Sequence, residues 1–381
     1  MKILYLHIGT PKTGTSAIQY FCARNRETLE NESLYYPDFG YRFENINQNR
    51  NGAFYIANIY DDQKKRMYEE EARVRAEGFE KLQKEFETHD TILLSDEGFW
   101  NHPKMTAAKN WSELLDFCTK IDVHLKIIVY LRRQDEVIQS YWAQRVKETN
   151  LKTDFFKYIR SGKYAQFHLD YYEHLQEIAS VIGKENIIVK VYEKGQYQGT
   201  NNTLISDFFS IFGLDPSKGY VAENEQRNLS LQGIYLESKR LLNISQEFKK
   251  RERFLVKRLR DLQALDKDHV NLSKIKQFSY EEALEFLKKY ETGNQNIAKE
   301  YLHREDGVLF YNELNPVNYS RFGETPKNTQ KVINIYAKII AEQERELQEM
   351  KEQLKNLQQR SWKQYLRRLK NKIHFRAKFL N

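Results

Sequence analysis

The segment KILYLHIGTPKTGTSAIQYF, residues 2–21, limits what this chain can fold into more than any other stretch. A short apolar run enters a turn holding two glycines, and residues with helical spacing follow. Strand, glycine-rich turn and helix in that order form the opening unit of a parallel α/β sheet. Three more apolar runs repeat the theme: TILLS (91–95), HLKIIVYLR (124–132) and NIIVKVYE (186–193). A helical run from Asp135 to about Glu148 follows HLKIIVYLR, and TLISDFFSIFGL follows NIIVKVYE. Apolar strands alternating with helices predict an α/β fold, a P-loop-like parallel sheet flanked by helices. Residues 1–318 are expected to form this domain. A charged helical insertion is expected at about 246–300, a candidate for shaping the acceptor cleft.

The turn resembles a phosphate-binding loop with its lysine displaced. In the pattern G-x-x-x-x-G-K-[ST] the lysine directly follows the second glycine. Gly9 and Gly14 keep that spacing and Ser16 fills the hydroxyl position, but Thr15 stands in the lysine's place and Lys12 lies between the glycines. A glycine-rich turn that opens a helix points backbone N–H groups and the positive end of the helix dipole at an anion. Lys12 adds charge, and Thr13, Thr15 and Ser16 add hydroxyls, a donor set suited to a phosphate or sulfate. The plainer alternative is a turn that Gly and Pro shape and Thr or Ser caps. A second constellation is IIVYLRRQDEVIQSYW, a strand ending in Arg132 with Ser140 eight residues on, about two helical turns later. Ligands of parallel sheets bind at the carboxyl ends of strands, and a guanidinium is a planar fork for an anion. Taken alone, an arginine after a strand is usually a surface charge. The third is TILLSDEGFW, where Asp96 and Glu97 close a strand. The pair reads as a candidate base, as a Walker-B-like acidic pair, or as an exposed acidic turn.

GTPKTGTSAIQ together with VYLRRQDEVIQSYW resembles the two signature segments of PAPS-dependent sulfotransferases, in particular the carbohydrate-modifying branch and its bacterial relatives. KVYEKG, DFFSIFGL and NQNIAKEYL…GVLF resemble later segments of the bacterial group, so the likeness covers about residues 1–315. It implies transfer of a sulfuryl group from PAPS to a hydroxyl of a carbohydrate acceptor (a polysaccharide, oligosaccharide or glycolipid), with release of PAP and no metal. By position it implies that Lys12, Thr13, Gly14, Thr15 and Ser16 hold the 5′-phosphosulfate. Arg132 and Ser140 would hold the 3′-phosphate. Glu97 stands where heparan-type members carry the catalytic base, with Asp96 beside it as the alternative. The rival reading is a P-loop kinase or ATPase that uses Asp96 and Glu97 for magnesium. A non-catalytic scaffold is the third.

The formal charge of +8 suggests nucleic acid until it is located. Residues 361–381 carry seven basic residues and no acidic one, which leaves +1 for the other 360. The body is nearly neutral, so no nucleic-acid partner is expected. His7, His102 and His168 lack metal-ligand spacing, and neither CxxC nor HExxH occurs. Two cysteines, Cys22 and Cys118, suggest a reducing compartment. The apolar run at the start is too short for a signal peptide or anchor, so a cytoplasmic location is expected. A separate element is expected at 328–381. Ile333, Ile340, Leu347 and Leu354 recur every seven residues, with Tyr336, Gln343, Met350 and Leu357 three further on. These are the a and d positions of a coiled coil, which predicts a homo-oligomer or a helix folded back on the chain. Beyond it Trp362, Leu366, Leu369, Ile373 and Leu380 form an apolar stripe among the basic residues. That combination predicts peripheral contact with an anionic membrane at its inner face, the alternative being a solvated basic tail.

Overall fold

The computed structural model describes residues 1–44, 46–101, 108–162, 164, 168–221, 230–244, 252–266, 275–316, 320–321 and 326–377. His102 and the last four residues lie outside that set. The chain divides into two compact units, Met1–Leu229 with Lys274–Arg321, and Ser230–Ser273 with Phe322–Asn381.

The first unit is α/β, as the alternation of strands and helices predicts. Its main sheet is formed by β1 (Lys2–His7), β2 (Thr91–Ser95), β3 (Val123–Leu131) and β4 (Ile187–Val191), in the order β2-β1-β3-β4 and parallel throughout. In register, His7 stands beside Ser95 on one side and Ile128 on the other. Every residue from Ile127 to Leu131 is fully buried, the mark of a strand covered on both faces. The helix α1 (Thr15–Arg24) follows β1, α2 (Gln134–Glu148) follows β3, and α3 (Leu204–Ser210) follows β4. Ile18, Phe21 and Cys22 of α1 pack with Leu93, Ile128, Tyr130, Phe208 and Phe209 in one apolar cluster. Burying such side chains contributes roughly 1.5–3 kcal/mol each, which fixes the loop that precedes α1.

Chain order and strand order together place the site. From β1 the chain crosses to β2, and from β3 it crosses the other way to β4. The carboxyl ends of β1 and β3 therefore flank a crevice, where open parallel sheets bind ligands. The loop of residues 8–14 leaves one side of it and Arg132 the other. The helices Tyr280–Lys288 and Glu291–Glu300 belong to this unit as well.

In the second unit α4 (Gly233–Leu242) packs against α5 (Glu252–Ala264) and against the long helix α6 (Pro326–Ala377). The long helix buries Val332, Ile335 and Ile339, and Tyr336 donates its hydroxyl to Ser238 O at 2.8 Å. Spacing of three and four is that of one face of a 3.6-residue helix. The heptad residues Ile333, Ile340, Leu347, Met350, Leu354 and Leu357 are all exposed. Among the described residues no helix is long and apolar enough to cross a membrane. Trp362 is exposed, and the other side chains of the basic stripe lie outside the described residues.

Candidate functional site

The loop after β1 is held in a conformation that most residues avoid. Gly9 (φ 43°), Lys12 (φ 71°) and Gly14 (φ 79°) all have left-handed backbone angles. A Cβ on Gly9 would come within 2.5 Å of Thr15 Oγ1, and one on Gly14 within 2.2 Å of Leu204 Cδ2, so neither position admits a side chain without rearrangement. Lys12 carries that strain with a side chain, which is typical of residues held for function. Two hydroxyls lock the turn: Thr10 Oγ1 donates to Tyr130 O (2.8 Å) and Thr13 Oγ1 to Thr10 O (2.7 Å).

The start of α1 has the features of an anion cradle. Gly14 caps it with no side-chain acceptor, and no acidic residue occupies the first turn. Its N–H groups and dipole therefore face outward without a fixed negative partner. Beneath the loop, Thr15 Oγ1 and His7 Nε2 are buried with no hydrogen-bond partner among the described residues. Burial pushes the His7 imidazole down to about 3, so it is neutral. Its Nδ1 lies 2.9 Å from Ser95 Oγ. A buried polar atom without a partner costs about 1–3 kcal/mol, so these two atoms mark a place where a ligand or water belongs. Ser16 is exposed at the same helix end.

Lys12 and the second segment meet directly. Lys12 is half-buried, and its Nζ donates to Gln144 Oε1 at 3.3 Å. Burial lowers the lysine's pKa; Glu148 and Glu97 act to raise it, and the nearby charge of Arg132 lowers it further. Arg132 donates from Nη1 to Lys12 O (3.0 Å) and from Nε to Glu136 Oε2 (2.9 Å). The guanidinium also lies 5.3 Å from the centre of the Tyr192 ring, and Tyr171 OH donates to Arg132 O. Glu136, Ser140 and Gln144 are spaced four apart on α2 and so share one face. Glu136 touches Arg132 and Gln144 touches Lys12, which puts the half-buried Ser140 on the stretch of helix between the two cations.

The acidic pair after β2 divides into two roles. Asp96 is fully buried. Arg50 grips it with Nε to Oδ2 (3.0 Å) and Nη2 to Oδ1, and Gly98 N donates to Oδ1 at 2.7 Å. Burial raises the Asp96 pKa, and Arg50 opposes that rise. Glu97 is half-buried and faces α1: Gln19 Nε2 donates to its Oε2 at 3.1 Å, while Arg50 Nη1 stands 3.8 Å from its Oε1. Gln19 also reaches Ser95 Oγ and Ser95 O. Glu97, Lys12, Arg132, the face of Ser140 and the start of α1 thus belong to one crevice. Gln19, Arg50, Gln144 and His7 support it, and nothing in their local sequence spacing marked the first three. The one available signal was His7 at the carboxyl end of a strand.

No known family model matches the chain. A relative described as an uncharacterized protein from Archaeoglobus fulgidus is 27% identical over 224 residues. That match takes in 58% of this chain and 56% of the relative, so the chain spans little more than half of that protein's length. The crystal structure of a sulfotransferase from Alicyclobacillus acidocaldarius aligns with 60% of this chain and 87% of its own, at 13% identity and a TM-score of 0.34. A match of that degree carries no argument about activity.

Proposed function

We propose that the chain is a sulfotransferase that moves the sulfuryl group of PAPS to a hydroxyl of a carbohydrate acceptor. The observation that carries this reading is the meeting of the two segments: Arg132 bonds to the Lys12 carbonyl at the loop that opens α1, whose first turn holds no acidic residue. Two separate cationic positions suit a nucleotide charged at both ends of its ribose better than a triphosphate held at one point. The start of α1 and Lys12 would hold the 5′-phosphosulfate. Arg132 and Ser140 would hold the 3′-phosphate.

In the reaction the acceptor oxygen bonds to sulfur while its proton passes to a Glu97 carboxylate oxygen. The bond from sulfur to the 5′-phosphate oxygen breaks, and its electron pair stays on that oxygen as PAP leaves. Lys12 and the α1 amides stand where that charge grows, the position at which fixed donors act most strongly on rate. Glu97 is the better base by position, because Asp96 is already committed to Arg50 and Gly98. The same commitment weighs against a kinase-like site that would need Asp96 for magnesium.

The direct test incubates the protein with sulfur-35 PAPS and a panel of glycans, alongside calorimetric titration of PAP. Label transfer with PAP binding in the micromolar range is expected. Stabilisation by ATP with magnesium and none by PAP would overturn the reading.

A further inference from the structure

A cavity of about 390 Å³ opens between residues 42–44, Ile46, residues 56–60, Arg50 and Gly98. Its size lies in the lower part of the range for small-molecule sites, ~300–1,000 Å³. Gly98, the residue after Glu97, lines it, and Arg50 forms the wall it shares with the acidic pair. Glu97 therefore lies between Gln19 on the loop side and Arg50 on the cavity side.

The chemistry of the walls is selective. Phe43, Ile56, Ile59 and the exposed ring of Tyr60 supply broad apolar surface. Two arginines line the cavity, yet both are engaged. Arg42 is paired with both oxygens of Asp38, at 3.1 Å each, and Arg50 with Asp96. Glu44 adds a further negative charge to the wall. Counting Asp38, Asp96, Glu97 and Glu44 against the two arginines, the surroundings carry a formal net −2. An anionic ligand entering here meets no uncommitted cation among these residues and must give up its water, which is costly.

We infer that this cavity receives the acceptor and that the acceptor is an uncharged sugar ring, laid against Tyr60 and Phe43, rather than a uronic acid or a polyanionic glycan. The inference rests on the sulfotransferase reading and names the substrate class of that same site. A ring with one apolar face and hydroxyls at its edge matches aromatic walls with polar groups at the rim. One hydroxyl directed past Arg50 approaches Glu97. The exposed position of Tyr60 leaves the mouth open for the rest of a longer glycan.

The test uses the full chain with PAPS and two aryl glycosides that differ only at C6, a β-glucoside and the corresponding β-glucuronide. PAP affinity is measured in parallel. The expected result is a kcat/KM at least about tenfold higher for the glucoside, a difference of about 1.4 kcal/mol. Tyr60→Ala should raise the glucoside KM about tenfold or more and leave PAP affinity unchanged. Asp38→Asn, which releases Arg42, should shift the preference toward the glucuronide. Preference of the wild type for the glucuronide, or an unchanged KM in Tyr60→Ala, overturns the inference. PAP binding with transfer to neither ring overturns the acceptor class and leaves the nucleotide reading standing. Absence of PAP binding removes both.

Discussion

The ion pair between Arg50 and Asp96 offers the sharpest test of how the site is built. Asp96 has no exposed surface and the Arg50 side chain is 17% exposed, so the pair is a buried one. Removing one partner of a buried pair costs about 3–5 kcal/mol, because the other charge is left without compensation. Arg50→Ala should fall near the lower limit, about 3 kcal/mol, since Gly98 N still bonds to Asp96 and the carboxyl can take up a proton. The sign with pH follows from the direction of the shift. The folded-state pKa of Asp96 is raised, so its protonated form favours the fold at low pH, and that contribution is lost as pH rises through the folded pKa. Without Arg50 the pKa rises further, and the deficit of Arg50→Ala should shrink as pH falls from neutral toward about 5. Arg50→Ala combined with Asp96→Asn removes both charges, keeps an acceptor for Gly98 N–H, and should recover most of the loss. Urea denaturation of the two single variants and the double variant at pH 7 gives the coupling energy. A cost under about 1 kcal/mol for Arg50→Ala, or strict additivity of the two changes, would refute the account of Asp96 as a buried carboxylate held by Arg50.

Lys12→Ala should lower turnover by about 10²–10³ with a smaller effect on PAP affinity, whereas Arg132→Ala should act mainly on PAP affinity. Calorimetry with PAP and single-turnover transfer separate the two, and unchanged PAP affinity in Arg132→Ala contradicts its role. Glu97→Gln should bind PAP normally and fail in transfer; if Asp96→Asn shows that phenotype with full stability, the base has been misassigned. The exposed seam of Ile340, Leu347, Met350 and Leu354 is expected to support self-association, so Leu347→Asp with Leu354→Asp should reduce the mass seen by light scattering. A monomeric wild type contradicts that reading. Truncation after Arg360 should leave PAP binding intact and release the protein from anionic vesicles, each basic residue near the surface contributing about 1 kcal/mol; equal vesicle binding with and without residues 361–381 rules the membrane role out.

What the sequence disclosed and what it hid differ in range. The four strands are local facts: apolar runs of five to nine residues, three of them with helical spacing after them, which needs no knowledge of distant partners. The loop was legible for the same reason, since glycines, lysine and hydroxyls lie within eight consecutive positions. Gln19 and Glu97 are 78 positions apart, and Arg50 and Asp96 are 46 apart. No spacing rule joins them, because β2 lies beside β1 only after the sheet has formed. The choice between Asp96 and Glu97 was therefore open in the sequence; in the fold Arg50 Nε and Nη2 bond to Asp96, while its Nη1 stands 3.8 Å from Glu97.

The long helix shows a further limit of pattern reading. Its heptad repeat is real, and the helix forms from Pro326 to Ala377. Yet the stripe that packs inside the second unit is Val332, Ile335, Tyr336 and Ile339, shifted by one position from the heptad at its start. A 3.6-residue stripe and a 3.5-residue seam can run side by side on one helix, and they share Tyr336. The first serves packing against α4 over about two turns. The second continues past Ile340, where the buried stripe has ended, and it keeps Leu347, Leu354 and Leu357 in water. Burial within the unit cannot account for apolar residues at those positions, because they gain nothing from it. Their period is the one that two helices wound about each other require, so a second helix is the partner we propose for the exposed seam.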